Sequence, residues 1–175
     1  MFKKIFEKRR KKQQSIRSAN MVYGILVAQA RKPIFYTTHS VADTIDGRFD
    51  MVALHLFIVL RRLDSVDGGR LMQQGLANIT IADMDQSIRE LGVGDTGVSK
   101  RIKVMAKAFW GRFEAYNIVE QKALASGVTK NVFRGDATKA KQSHALAKYI
   151  IAQIEFLNKQ DDLAILEGNL KFNDK

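Results

Sequence analysis

The sequence predicts an all-α fold, a single compact helical domain of about five to seven helices with a basic N-terminal tail. Three observations carry this. Apolar residues recur at steps of three and four along most of the 175 residues, and no period-two alternation lasts long enough for a strand. There is one proline to interrupt helices, and ten phenylalanines supply bulk for a shared core. A 46% hydrophobic fraction at this length fits one ordinary domain and argues against general disorder.

The elements follow in order. Residues 1–17 read as a basic amphipathic tail and 18–175 as the helical domain. Ile16, Ala19, Tyr23, Leu26 and Ala30 mark an amphipathic helix of about 16–31, closed at Lys32-Pro33 because the residue before proline avoids the helical region. A connector, 34–47, holds the turn and capping residues Asp43, Thr44 and Asp46. The second helix, near 48–63, carries Phe49, Val52, Leu56, Val59 and Leu63 on one stripe. Leu54, Phe57, Ile58 and Leu60 make it apolar nearly all round, which predicts the central buried helix.

Asp67-Gly68-Gly69 ends it, and the segment 70–91 is less regular, with Thr80-Ile81-Ala82 suggesting a bend or two pieces. A glycine-rich turn at 92–97 precedes a long helix near 98–125, striped by Val98, Ile102, Met105, Phe109, Phe113 and Tyr116. Ser126-Gly127 reads as its stop. Asp136 caps a fifth helix striped by Ala147, Ile150, Ile154 and Leu157, and a short last helix carries Leu163, Leu166 and Leu170.

The net charge of +11 is concentrated: residues 1–17 hold eight basic side chains and one acid, +7 of the total. Met1, Phe2, Ile5 and Phe6 share one side of a helical turn beside this run. An apolar knob next to a polybasic run is what a peripheral anchor on anionic lipid needs. The candidate membrane-binding residues are therefore Phe2, Lys3, Lys4, Phe6, Lys8, Arg9, Arg10, Lys11 and Lys12. The same run suits RNA phosphates, and a solvated tail is the plain alternative.

No apolar stretch of signal-peptide type follows the charges, and a Lys-rich tail with Glu7 is unlike a mitochondrial transit peptide. The longest apolar stretch, 51–60, is interrupted by His55 and is half the length of about 20 residues a membrane span requires. The protein is expected to stay on the side of the membrane where it is made.

The absence of cysteine excludes a disulfide scaffold, a Cys nucleophile and Cys-ligated metal. Gly92-x-Gly94-x-x-Gly97 has the letters of a dinucleotide fingerprint, but Ile88-Arg89-Glu90-Leu91 before it reads as helix rather than strand. Val98 and Ser99 stand between Gly97 and Lys100, so a phosphate loop fails as well. Asp43-x-x-Asp46-Gly47 and Asp83-x-Asp85 miss calcium-loop spacing. His39, His55 and His144 are dispersed, and His55 reads as a hydrogen-bonded core histidine. No catalytic, cofactor or metal residues are expected, and no DNA partner.

Two segments, 36–50 and 82–100, hold polar residues denser than packing needs. Arg48, Arg89 and Arg112 are expected to pair with Asp43, Asp50, Asp83, Asp85 or Asp95 and fix helix geometry, or to dock a partner. The full set of partner-binding or architecture-fixing candidates is Tyr36, Asp43, Arg48, Asp50, His55, Asp83, Asp85, Arg89, Asp95, Arg112 and Tyr116.

Val27-Ala28-Gln29-Ala30-Arg31 with Tyr36, then the run from Val41 through Asp50, then Leu54-His55, resemble the ubiquinol–cytochrome c chaperone family. Asp83-Met84-Asp85, Arg89-Glu90-Leu91-Gly92-Val93-Gly94-Asp95, and Phe109-x-Gly111-Arg112 with Tyr116 continue the resemblance, over roughly residues 20–155. It implies a non-enzymatic, all-helical assembly factor for respiratory complex III. In mitochondrial relatives the family works beside the ribosomal exit tunnel with a small second chaperone and receives newly made cytochrome b.

The chain resembles a bacterial member, which would act in the cytoplasm, peripheral on the inner membrane; the alternative is the matrix side of the mitochondrial inner membrane. Met51, Phe57, Met72, Met84, Met105 and Trp110 are candidates for an adaptable groove, with core packing as the competing reading. Other readings are a membrane-surface lipid- or quinone-binding protein with an interhelical apolar pocket, and a ribosome- or RNA-associated factor.

Overall fold

The computed structural model describes residues 2–90, 95–117 and 120–173, without the side chains of residues 2–5, 7, 8, 95, 96, 99 and 101. Among the described residues there are six long helices, two short ones and no strand. They are α1 (Phe2–Ala30), α2 (Ile34–Thr37), α3 (Ile45–Asp64), α4 (Gly69–Glu90), α5 (Asp95–Tyr116) and α6 (Gln121–Asn131). A 3-10 turn (Ala137–Lys139) then leads into α7 (Ala140–Asn158) and α8 (Asp162–Leu166).

The near-continuous apolar run predicted for the centre is there: Leu54, Leu56, Phe57, Ile58 and Val59 of α3 are inaccessible or nearly so. α1, α4, α5 and α7 all pack against α3, so every side of it faces protein. It starts three residues earlier than the stripe suggests, because the Thr44 side chain accepts from the Gly47 backbone N–H at 3.2 Å and caps it.

The boundary expected near residue 16 does not divide α1, which is one helix from Phe2. No glycine or proline occurs before Gly24, and Lys, Arg and Gln are good helix formers. Its character changes along its length. Ala19, Val22, Leu26 and Ala30 are buried, whereas residues 9–14 are exposed on every side. α1 runs parallel to α4: Gly75 lies where a Cβ would stand 2.9 Å from that of Ala19, and Tyr23 donates to Asp83 at 2.8 Å.

Three expectations are corrected. The connector 34–47 contains α2, entered through Pro33 at φ −54°. The segment 70–91 is not split into two pieces: α4 runs unbroken from Gly69 to Glu90, and the Thr80 hydroxyl donates to the Leu76 carbonyl at 2.8 Å within it. The long helix expected over 98–125 is two helices. Glu120 caps α6 by accepting from the N–H groups of Lys122 and Ala123 at 3.0 and 2.9 Å.

Ser126-Gly127 accordingly lies inside α6 rather than at a stop. Gly127 lets α6 close on α5, for a Cβ there would sit 3.0 Å from the Ala115 carbonyl oxygen. Asp136 caps the 3-10 turn through the Thr138 N–H, and α7 follows with Ala147, Ile150, Ile154 and Leu157 buried. Leu163 and Leu166 lie in α8, while Leu170 is in the buried extended end after it. Gly97 falls in α5, and Gly92, Val93 and Gly94 lie outside the described residues. α4 is a helix up to Glu90, so the strand a dinucleotide fingerprint needs is not what leads into this turn.

The C-terminal segment is held by side-chain amides acting as backbone. Gln153 of α7 donates to the Asn173 carbonyl and accepts from its N–H, at 2.8 and 2.9 Å. Gln160 does the same to Lys171, at 2.7 and 3.0 Å. Phe172 is thereby laid against His55, ring centroids 5.4 Å apart.

Candidate functional site

The charged residues of α3 and α5 meet at Asp50, which is completely buried. Arg112 of α5 and Arg134, in the turn after α6, each place a guanidinium nitrogen 2.7 Å from a different Asp50 oxygen. Burial pushes the Asp50 carboxyl up from its ordinary value, and the two arginines pull it back. Tyr116 is buried beside them, its hydroxyl pKa raised by burial and by the Asp50 charge. Arg134 takes a left-handed backbone, φ 55°, and Gly135 follows at φ 85°, so this turn aims the arginine inward by a conformation that residues other than glycine seldom adopt.

The Arg112 guanidinium also lies over the Phe49 ring, 5.4 Å from its centroid. Phe49 in turn lines a surface cleft of about 320 Å³ between α3, α4 and α5, with Tyr23, Arg48, Asp83, Met84 and Met105 around it. A second cleft of about 490 Å³ continues along α5 and shares Ile45, Ser87 and Met105 with the first. The buried ion pairs thus fix the back wall of an open groove. Ile45 and Val104 on its rim are 56% and 64% exposed. An apolar floor with mixed charges at the edge suits an amphipathic or apolar segment rather than a charged small molecule.

The remaining candidates fall in three places. Asp43 and Arg48 pair at 2.7 Å on the surface beside the groove, and the arginine holds the Asp43 carboxyl below its ordinary value. Asp85 and Arg89 pair at 2.6 Å, one turn apart on α4. Tyr36 donates to the Ala30 carbonyl at 2.9 Å, tying α2 to the end of α1. The Asp95 side chain lies outside the described residues, as do those of Phe2, Lys3, Lys4 and Lys8. Phe6 is 69% exposed, and Arg9, Arg10, Lys11 and Lys12 are exposed.

His55 is completely buried between Phe35, Tyr149 and Phe172. Its Nδ1 is 2.7 Å from the Met51 carbonyl, which can only accept, so Nδ1 carries the proton. Nε2 then accepts from the Tyr149 hydroxyl at 2.8 Å, and that oxygen accepts from Gln29 at 3.0 Å. Burial pushes the His55 pKa down to about 4. This satisfied chain ties α1, α3 and α7 together as architecture.

Of the expected groove residues, Met51, Phe57 and Met72 belong to the closed core, at 0–1% exposure. Met84 and Met105 do line the groove, and Trp110 stands over a different cleft. Arg134 and the buried Arg62 were not anticipated. Arg62 donates to the Leu157 and Gln160 carbonyls, both at 2.8 Å, and pairs with Asp162, closing the C-terminal end of α7. A cation inside the apolar stripe Leu60 to Leu63 was the available signal.

A family model described as ubiquinol-cytochrome C chaperone matches residues 37–172. The chain belongs to that family. The matched span opens at the end of α2 and closes on Phe172, so it takes in Asp50 with both arginines, His55 and the groove apart from Tyr23 and Arg31 of its lining. The chaperone also resembles the crystal structure of the Cbp3 homolog from Brucella abortus. The identity is 34% and the TM-score 0.84, over 99% of this chain and 97% of that one. No curated protein matches. In this chaperone no helix among the described residues is long and apolar enough to cross a membrane. Among the same residues no group of three or more His, Asp or Glu side chains is placed to hold a metal ion.

Proposed function

We propose that this chaperone promotes assembly of respiratory complex III by holding newly made cytochrome b at the membrane surface, without catalysing a reaction. The observation that carries the reading is the family match spanning most of the groove and its supporting ion pairs, joined to near full-length likeness to the Cbp3 homolog. The groove offers the client an apolar floor with polarisable Met84 and Met105, which adapt to helices of differing shape. The basic start of α1 supplies the membrane contact: Phe6 and residues 9–14 are exposed, and exposed cations beside an apolar side chain suit an anionic lipid surface. In a bacterium the chaperone would work at the cytoplasmic face of the inner membrane. A ribosome contact near the exit tunnel, or a small second chaperone, would add to this arrangement without replacing it.

The test is capture of the client. A tagged full-length chain, cross-linked in cells of its native organism and purified from solubilised membranes, is expected to bring down cytochrome b. Introducing charge into the apolar groove wall, Val104→Asp with Met105→Asp, is expected to abolish capture while leaving the helical fold. Undiminished capture by that variant would place the client elsewhere, and no cytochrome b with the wild-type chain would reject the reading.

A further inference from the structure

Trp110 is the only tryptophan in the chain, and at 55% exposure it is held on the surface of α5. It borders a cleft of about 480 Å³ together with Arg70, Gln73 and Gln74 of α4, Asp64 of α3, and Phe113. Behind it Phe109 and Phe113 stack edge-on, at 5.4 and 6.0 Å between centroids, so the indole is backed by rigid aromatic packing. Leu71, next to Arg70, is 49% exposed. Lys103 and Lys107, about two turns and one turn before Trp110, are exposed on α5. A Cβ on neighbouring Gly111 would meet nothing within 4 Å, so this side is open. The nearby acids are Asp64, which accepts from Gln73 at 2.6 Å, and exposed Glu114.

This rim lies at the same end of the molecule as the cationic part of α1. α1 runs parallel to α4 with Ser15 and Ala19 against Gly75, and α4 begins at Gly69. At a rise of about 1.5 Å per residue, Arg9 to Lys12 are level with the first turn of α4 or project beyond it. Cations, a tryptophan and a leucine are therefore gathered at one end.

We propose that Trp110 and Leu71 form a second contact with an anionic lipid bilayer, beside the N-terminal part of α1. The indole ring enters the interface, and Arg70, Lys103 and Lys107 lie over the headgroups. Tryptophan suits that depth because its apolar body and N–H find matching surroundings on either side of the headgroup level. The inference rests on the membrane-surface reading and extends it. A single helical arm leaves the body free to swivel, whereas an arm plus Trp110 sets which side faces the bilayer and leaves the Ile45–Met105 groove opening along its surface.

The single tryptophan is its own probe. The full-length protein is mixed with vesicles of phosphatidylcholine containing phosphatidylglycerol, with and without dibrominated acyl chains. The expected result is co-sedimentation, a blue shift of Trp110 emission, and quenching by the brominated chains. Trp110→Ala is expected to weaken vesicle binding roughly fivefold, and Lys103→Gln with Lys107→Gln by a similar factor, both with unchanged circular dichroism. Co-sedimentation with unshifted, unquenched Trp110 would overturn the second contact and leave the α1 contact standing. No co-sedimentation with the acidic vesicles would overturn both.

Discussion

Asp50 separates two guanidinium groups, and taking its carboxylate away leaves Arg112 and Arg134 facing each other near a buried site. Asp50→Ala is expected to lose about 3–5 kcal/mol of stability, read as a fall in the urea midpoint at unchanged slope. The two arginines are not equivalent. Arg112 is 13% exposed and covers Phe49, whereas Arg134 is 51% exposed, so Arg112→Ala is expected to cost more than Arg134→Ala. Equal losses would mean that the carboxylate leans on both alike.

His55 gives a pH dependence whose sign can be worked out. Its pKa falls from 6.5 to about 4 on folding, so as the pH drops the unfolded chain takes up the proton first. The stability tied to neutral His55 is complete above pH 6.5 and is lost between there and pH 4, about 2 kcal/mol of it by pH 5. Denaturation midpoints at pH 7 and pH 5 are expected to differ in the wild type and to converge in His55→Gln. A wild-type midpoint that stays level over that range would contradict the burial of a neutral ring.

At the level of helices, a capping residue could be recognised without its end being placed: the apolar stripe put the start of α3 near residue 48, three residues after the one Thr44 caps. Thr44 is a familiar capping residue. Glu120 reads as an ordinary helix former, and only its two backbone acceptor bonds reveal that one predicted helix is two. Thr80-Ile81 misled in the opposite sense, since packing of Met72, Leu76, Met84 and Ile88 outweighs the weak propensity of two β-branched residues.

Two glycines test the helix geometry in opposite directions. A Cβ on Gly47 would lie 1.9 Å from the Ala42 carbonyl oxygen, so Gly47→Ala must push apart the start of α3 and is expected to cost about 2 kcal/mol or more. Gly111 has open space around it in mid-helix, and Gly111→Ala is expected to raise stability by about 0.5–1 kcal/mol. Thermal or urea unfolding of both variants reads the pair, and a stabilising Gly47→Ala would mean that the loop before α3 takes a different path.

In the whole molecule, the all-helical core around α3 was readable because burial on every side leaves an uninterrupted apolar sequence. Asp43–Arg48 and Asp85–Arg89 were readable because the partners sit within a turn or so of one another. Arg134 was not, because a left-handed turn far along the chain brings it to Asp50 and no periodicity records that. The clamps made by Gln153 in α7 and Gln160 just after it were equally silent, since a side chain standing in for a strand leaves no pattern.

These long-range contacts hold the groove wall and the C-terminal segment in one body, as the proposed handling of a membrane client requires. The direct measurement is deletion of the protein in its native organism, followed by quantifying cytochrome b and assembled complex III. Loss of both, with other respiratory complexes at normal levels and only partial recovery when the chain is restored without residues 1–17, is the expected result. Normal cytochrome b and normal complex III in the deletion strain would contradict the assembly role outright.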